Sequence, residues 1–392
     1  MRRWGLLWVT LFVETALVTA QTMKWEVRNP TDDFRHEVVS MPMDSVVTKV
    51  GDSFRVMDAA GLDVPFQKTH DGWLLVEAAV RPRGTARFTI VKGEAPSFPT
   101  VCHGRLHPER KDDFAWENDR GCYRVYGPAL VRTGERSYGV DVWTKNTPEL
   151  VVDDRYYIED VVTIPVIDSV YRNNWAKRDS IYRTISYHYD HGRGLDPYRV
   201  GATLGCGAPA LMLGDSLVMP YCFKDYKVLD DGPLRFKVHL TYQKVCVDGD
   251  SLVEHRVIQL DKQSNFNRCT VWYEGLHHRV GFCSGVVIQK DDPEPVVLGK
   301  NYVSYSDPTD QPRVHQAPLY VAVLFPEGKV TTRQHRGHAL GTMNDYDGRP
   351  YTYYFGSAWA KYDVRTPEEW QARIAWYLRS LECPLVSVNP GQ

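Results

Sequence analysis

The sequence holds no Gly-x-Ser-x-Gly, no Walker loop, no Gly-x-Gly-x-x-Gly fingerprint and no His-Glu-x-x-His. These absences argue against the usual α/β serine hydrolases, nucleotide-binding enzymes and zinc proteases. Each needs its motif to expose a nucleophile, to cradle phosphates or to set two imidazoles on one helix face. No Cys-x-x-Cys pair occurs, which argues against a zinc ribbon or a dithiol redox motif. Beyond residue 20 no run approaches the ~20 apolar residues that a bilayer-spanning helix requires. The formal charge of −2 lacks the basic excess that nucleic-acid binding demands.

What is present begins with Arg2 and Arg3, an apolar run from Gly5 to Val18, and Val18-Thr19-Ala20 before Gln21. That order reads as an export signal over residues 1–20, cleaved after Ala20, and places the protein in the periplasm or outside the cell. The remaining chain, about 370 residues, is long for one domain. Its 11 Trp and 23 Tyr suit stacking on sugar rings, and they suit a large β core equally well. The eight cysteines are thinly spread, and several, such as Cys246 and Cys269, sit inside strand-like runs. Most are expected to be buried small hydrophobes, with one or two bridges.

Short β-rich runs punctuated by turns fill residues 21–96, predicting a small N-terminal β domain, and Gly93–Thr100 reads as a linker. From 97 onward strands dominate. Leu234–Tyr242 alternates apolar and polar residues, Asp248-Gly249 makes a turn, and Leu252–Leu260 and Asn267–Tyr273 continue an antiparallel meander. One helix is predicted over 367–381, with Thr366 as cap, Pro367 in the first turn and Glu369 completing a capping box. The expected architecture is all-β: a large antiparallel β-sandwich preceded by the small β domain and followed by one C-terminal helix.

The densest chemistry lies in Ser186–Gly201, where Tyr189, His188, Asp190, His191, Arg193, Asp196, Tyr198 and Arg199 surround Gly192, Gly194 and Gly201. Glycines let such a loop turn sharply and gather side chains around a ligand. His188 or His191, oriented by Asp190, is a candidate general base, and the same three residues are the candidate ligands of a divalent metal, although their spacing matches no standard metal motif. A hydrogen-bonded structural turn is the plainer alternative. A second stretch, Asp112–Leu130, carries Trp116, Glu117, Asn118, Asp119 and Arg120 before an alternating strand. There Trp116 would stack on a sugar ring while Glu117, Asn118 and Arg120 contact hydroxyls or a carboxylate; a salt-bridged strand edge fits as well. His103, His107, His277, His278, His335 and His338 have no diagnostic spacing and read as loop residues.

Phe114–Arg120 with Tyr126–Leu130, Tyr187–Gly201 and Tyr354–Lys361 together resemble a family of exported bacterial proteins catalogued as domain of unknown function 4861. The resemblance covers nearly the whole chain after the signal and departs where Arg193 stands in place of a common Glu. It implies a galactose-mutarotase-like β-supersandwich and a role in the breakdown of acidic polysaccharides. The expected partner is therefore a uronate-containing oligosaccharide or polysaccharide, cut by β-elimination or by hydrolysis. A lyase would use Arg120, Arg193 or Arg199 to neutralise the uronate, a histidine as base and Tyr187, Tyr189 or Tyr198 as acid. A hydrolase would use two of Glu117, Asp119, Asp190 and Asp196. A glycan-binding protein without chemistry, or a mutarotase or epimerase, are the alternatives.

Overall fold

The computed structural model describes residues 21–388 apart from positions 220, 291, 294, 295 and 316; the expected export signal lies outside the described residues. The chain is mostly antiparallel β-structure, as its alternating patterns predict. The meander forms strands Arg235–Tyr242, Asp250–Asp261 and Phe266–Glu274, and the first of these buries every second residue. Asp248 and Gly249 both adopt positive φ, 48° and 88°, which matches the right-handed twist of the two strands that their hairpin joins.

These strands belong to a nine-stranded sheet that forms the backbone of the molecule. One of its faces carries the main hydrophobic core and is covered by a five-stranded sheet and a four-stranded sheet. The second of these consists of His103–His107, Asp113–Glu117, Cys122–Val125 and Asp141–Trp143. The helix Pro367–Glu382 packs on the opposite face, with Trp370 stacked on Phe266 at 5.2 Å between ring centroids. Its Thr366 hydroxyl accepts from the Glu369 amide, as the capping pattern predicts.

The N-terminal residues form a separate pair of small sheets around Trp25, Val27, Leu74, Val76 and Ile90. The end of the chain returns to them. Strand Val386–Val388 pairs with Thr22–Arg28, and the Trp25 indole donates to the Ser387 hydroxyl at 2.8 Å. The guanidinium of Arg35, buried beside this seam, donates to the carbonyls of Ser380 and Cys383, at the C-terminal end of the helix where the helix dipole favours a cation.

Two features depart from the sequence reading. All eight cysteines are free, six of them buried, so the expected bridges do not form. Residues 152–185 are helical, built from Val152–Tyr156, a π-helical turn Tyr157–Thr163, Ile164–Val170 and Trp175–Ile185. The hydrophobic period of this segment is weak because Tyr157, Ile158, Val161, Val162, Val166, Val170 and Trp175 are all exposed, so one apolar stripe does not mark the buried face.

Close packing of the four-stranded sheet on the large one sets a clear constraint at Gly104. A Cβ there would sit 2.5 Å from the Trp116 Cβ and 2.7 Å from the Phe236 ring. Gly104→Ala is expected to lower stability by roughly 1–3 kcal/mol, the usual range for overpacking. Urea unfolding with an unchanged denaturant slope would register it.

Candidate functional site

The four-stranded sheet has two unlike faces because its strands alternate. Phe114, Trp116, Tyr123, Val125 and Val142 point into the main core. Ala115, Cys122 and Trp143 join a second apolar cluster with Val151, Val152, Tyr156 and Tyr187, from the helical segment and the loop that follows it. On that second side Arg124 meets three buried carboxylates. Its guanidinium donates to Asp141 at 2.8 Å and Asp196 at 3.0 Å, with Asp113 at 3.5 Å, and lies 5.0 Å over the Trp143 ring. Tyr126 donates to Asp141 and Tyr156 to Asp113, each at 3.2 Å.

One guanidinium cannot balance three carboxylates in a dry environment. Burial pushes Asp113 up to about 6 even though Arg124 and Arg110 draw it down, and its Oδ1 has no hydrogen-bond partner. Burial first, and the neighbouring Asp141 second, likewise raise Asp196. Asp160, on the π-helical turn, is raised to about 6 by burial and by Glu159 beside it. Asp113 and Asp196, buried under the helical segment, and Asp160 on it therefore titrate well above the usual carboxylate range.

His188 stands at the edge of this group, its side chain 34% exposed. Its Nδ1 lies 3.1 Å from the Asp196 carbonyl and 3.7 Å from the Asp196 carboxylate. A carbonyl only accepts, so Nδ1 carries a proton, and in the neutral tautomer this leaves the lone pair on Nε2. The imidazole of His315, buried in the turn Pro312–His315, donates to the His188 carbonyl at 3.3 Å and so fixes the backbone. Asp310 lies just before that turn: its amide donates to the Pro197 carbonyl at 2.9 Å and its Oδ1 lies 3.4 Å from His315 Nδ1. Lys361, just past strand Tyr351–Trp359, places Nζ 3.9 Å from the Asp190 carboxylate and 5.2 Å over the Trp359 ring. The loop that carries His188 is thus met by the His315 turn at the His188 backbone and by Lys361 at Asp190.

Several sequence expectations need correction. Trp116 is fully buried and its indole donates to Asn267 at 2.8 Å, so it has no face for a sugar. Glu117, also buried, pairs with Lys145 at 2.7 Å and accepts from the amides of Val151 and Val152 at the start of the helical segment. Asn118 donates to the Asp261 and Ser264 carbonyls, Asp119 accepts from the Gln263 amide, and Arg120 pairs with Asp363 at 3.2 Å. These residues hold strands together and form no opposite wall of a cleft. The two stretches do meet, through Arg124 with Asp196 at 3.0 Å.

Asp190 orients neither histidine; its Oδ1 accepts from the Gly192 and Gly194 amides and shapes the turn. His191 donates from Nε2 to the Ser186 carbonyl at 2.9 Å. Among the described residues the donor atoms of His188, Asp190 and His191 do not come within metal-binding reach of one another. Arg193 is tied to Asp154 at 3.1 Å and to the Leu150 carbonyl. Tyr198 is buried with an unpartnered hydroxyl, whereas Tyr189 is half-buried and Arg199 is exposed near Asp307 and Asp310. His107 and His338 are buried instead of lying on surface loops: the His107 ring packs at a tilt 4.0 Å from that of Tyr156, and His338 accepts from the Leu204 amide. Arg124, Asp113, Asp141, Asp310, His315 and Lys361 were missed as site residues, although Arg124 alternates with core positions in Cys122–Val125 and Lys361 closes the motif Tyr354–Lys361.

A family model described as "Domain of unknown function (DUF4861)" matches residues 27–386. The chain belongs to this family. An uncharacterized protein, P7, of Formosa agariphila is 26% identical over 331 residues, which span 80% of this chain and 76% of that one. Among solved structures, an alpha-mannosidase from Enterococcus faecalis V583 superposes with a TM-score of 0.50 at 11% identity, over 95% of this chain and 46% of that one. A glycosyl hydrolase family 38 protein from Enterococcus faecalis gives a TM-score of 0.51 at 11% identity, over 95% and 48%. The DUF4861 chain spans about half the length of these two structures, and the likeness is one of fold.

The carboxyl group at position 113 has a testable signature. Its pKa is near 6 in the folded protein and about 3.9 when unfolded, so the folded state binds the extra proton below pH 6 and loses that stabilisation as pH rises through 6. Relative to Asp113→Asn, the unsubstituted protein should lose about 1 kcal/mol of stability between pH 5 and pH 8. Urea unfolding of both proteins at the two pH values measures the difference.

Proposed function

We propose that this DUF4861 protein is an exported carbohydrate-active enzyme that cleaves uronate-containing oligosaccharides or polysaccharides by β-elimination. The observation that carries the reading is His188: a half-exposed imidazole whose Nδ1 is committed to the Asp196 carbonyl, with Lys361 arriving at the same turn. In β-elimination a base removes the proton on the carbon beside the uronate carboxylate, and that proton becomes acidic only when the carboxylate charge is neutralised. His188 Nε2 serves as the base. Lys361, with Arg199 as the further exposed cation, neutralises the carboxylate. Tyr189, half-buried beside His188, is the candidate acid for the departing glycosidic oxygen.

Hydrolysis is less well served by these residues. It requires two carboxyl groups flanking the bond. Of the four expected candidates, Glu117, Asp119 and Asp196 are buried in ion pairs or backbone hydrogen bonds, and Asp190 shapes a glycine turn. The fold shared with an alpha-mannosidase and a family 38 glycosyl hydrolase supports carbohydrate as the substrate class. Capture of glycan without chemistry is the second reading, favoured by the exposed Tyr157 and Trp175 on the helical segment.

With an acidic polysaccharide that the protein degrades, the product is expected to absorb in the ultraviolet band of an unsaturated uronate. His188→Ala should lower turnover by about 10²–10⁴-fold, the usual worth of a general base. Lys361→Met should lower kcat as well as raise KM for the acidic substrate, because the charge it neutralises both holds the substrate and acidifies the proton that is removed. Release of sugar without the absorbing product would instead establish hydrolysis, and full activity of His188→Ala would refute the proton-abstraction scheme.

A further inference from the structure

On the far side of the nine-stranded sheet from His188 lies a cavity of about 190 Å³, bounded by that sheet, the helix Pro367–Glu382 and the N-terminal strand Arg35–Pro42. Alternation along Phe266–Glu274 separates it from the core: Asn267 reaches inward to Trp116, while Phe266 and Arg268 face the cavity. Its walls include Tyr354, Tyr377 and Trp376. Tyr354 lies directly across the strand pair from Arg268, and its ring meets Tyr377 edge-on at 5.6 Å.

The charges around this cavity do not cancel. Its two carboxylates are already engaged, Glu37 by Arg35 at 2.5 Å and Asp261 by Arg235 at 2.6 Å. Lys262 and His36 both pair with Glu77. Arg268 and Arg373 remain, and among the described residues neither forms an ion pair; Arg373 donates only to the neutral Asn265 side chain at 3.0 Å. Two carboxylates reach Arg373 with their fields and neither pairs with it: Asp363 is bound by Arg120, and Glu369 accepts from the Arg365 amide. Two guanidiniums without counter-ions beside aromatic walls make a receptor for a ring that bears a carboxylate. Guanidinium matches carboxylate geometrically through paired N–H donors, and the aromatic rings take the apolar face of the ring. The volume lies below the ~300–1,000 Å³ of pockets for larger ligands, so it suits one ring and no chain.

We propose that this cavity is a second binding site, separate from the region around His188, for a single sugar acid, with its carboxylate held by Arg268 and Arg373. The site stands apart from the β-elimination reading and survives if that reading fails. Calorimetric titration of the full mature chain with sodium glucuronate and galacturonate, against glucose and galactose as neutral counterparts and sodium sulfate as a bare anion, tests it. One site is expected, preferring a sugar acid over its neutral counterpart by at least tenfold. Arg268→Gln and Arg373→Gln should each weaken it by at least tenfold, while His188→Ala leaves it unchanged. Arg268 is exposed, so its variant should keep the thermal midpoint and carry the test even if Arg373→Gln folds poorly. Absence of binding, equal binding of the neutral sugar, sulfate binding as tight as the sugar acid, or binding lost in His188→Ala but kept in Arg268→Gln would each overturn the proposal.

Discussion

The ion group around Arg124 is the constraint on which the site depends. A guanidinium and three carboxylates buried together exist only because each is held by another part of the chain: Asp113 and Asp141 from neighbouring strands, Asp196 from the glycine-rich loop. Taking such charges out of water costs several kcal/mol per ion, and removing one partner of a buried pair typically costs a further 3–5 kcal/mol. The loop from Ser186 to Gly201 is therefore pinned at Asp196, and His188 is placed by that pin. The helical segment 152–185 supplies the dryness, with Tyr156 and Tyr187 closing over Arg124.

The excess of carboxylate over guanidinium also gives the region its chemical character. Asp113 and Asp160 keep their protons up to about pH 6 because burial disfavours the charged form and no cation compensates them fully. Glu117 shows the opposite arrangement close by. With Lys145 and the Val151 and Val152 amides around it, its carboxylate is fully satisfied and serves to anchor the start of the helical segment. A carboxylate thus does different work a few residues apart, according to its count of partners.

Much of the fold was legible because β-structure writes itself at period two. The strand Arg235–Tyr242, the Asp248-Gly249 hairpin and the capped helix after Thr366 follow from local pattern and turn chemistry. The helical segment was not legible, since it is apolar on its exposed side as well as its buried one. Nor was the return of Val386–Val388 to the N-terminal sheet, because pairing across the length of the chain leaves no local mark. Trp116 shows a related failure: an indole beside acidic residues reads as a sugar platform, yet the strand's alternation turns it inward onto Asn267.

The sequence by itself determined the β architecture, the family membership carried by three ordered motifs, and the concentration of ionisable groups between Ser186 and Gly201. Those are properties of local pattern and residue type. Only the tertiary structure decided which of those groups are free. Whether a carboxylate is a structural partner, a proton store or an exposed group depends on the cations and amides that other segments bring to it. That is why Asp190 became a turn former, Asp196 a buried anchor and His188 the half-exposed base candidate, although all three stand within nine residues of one another.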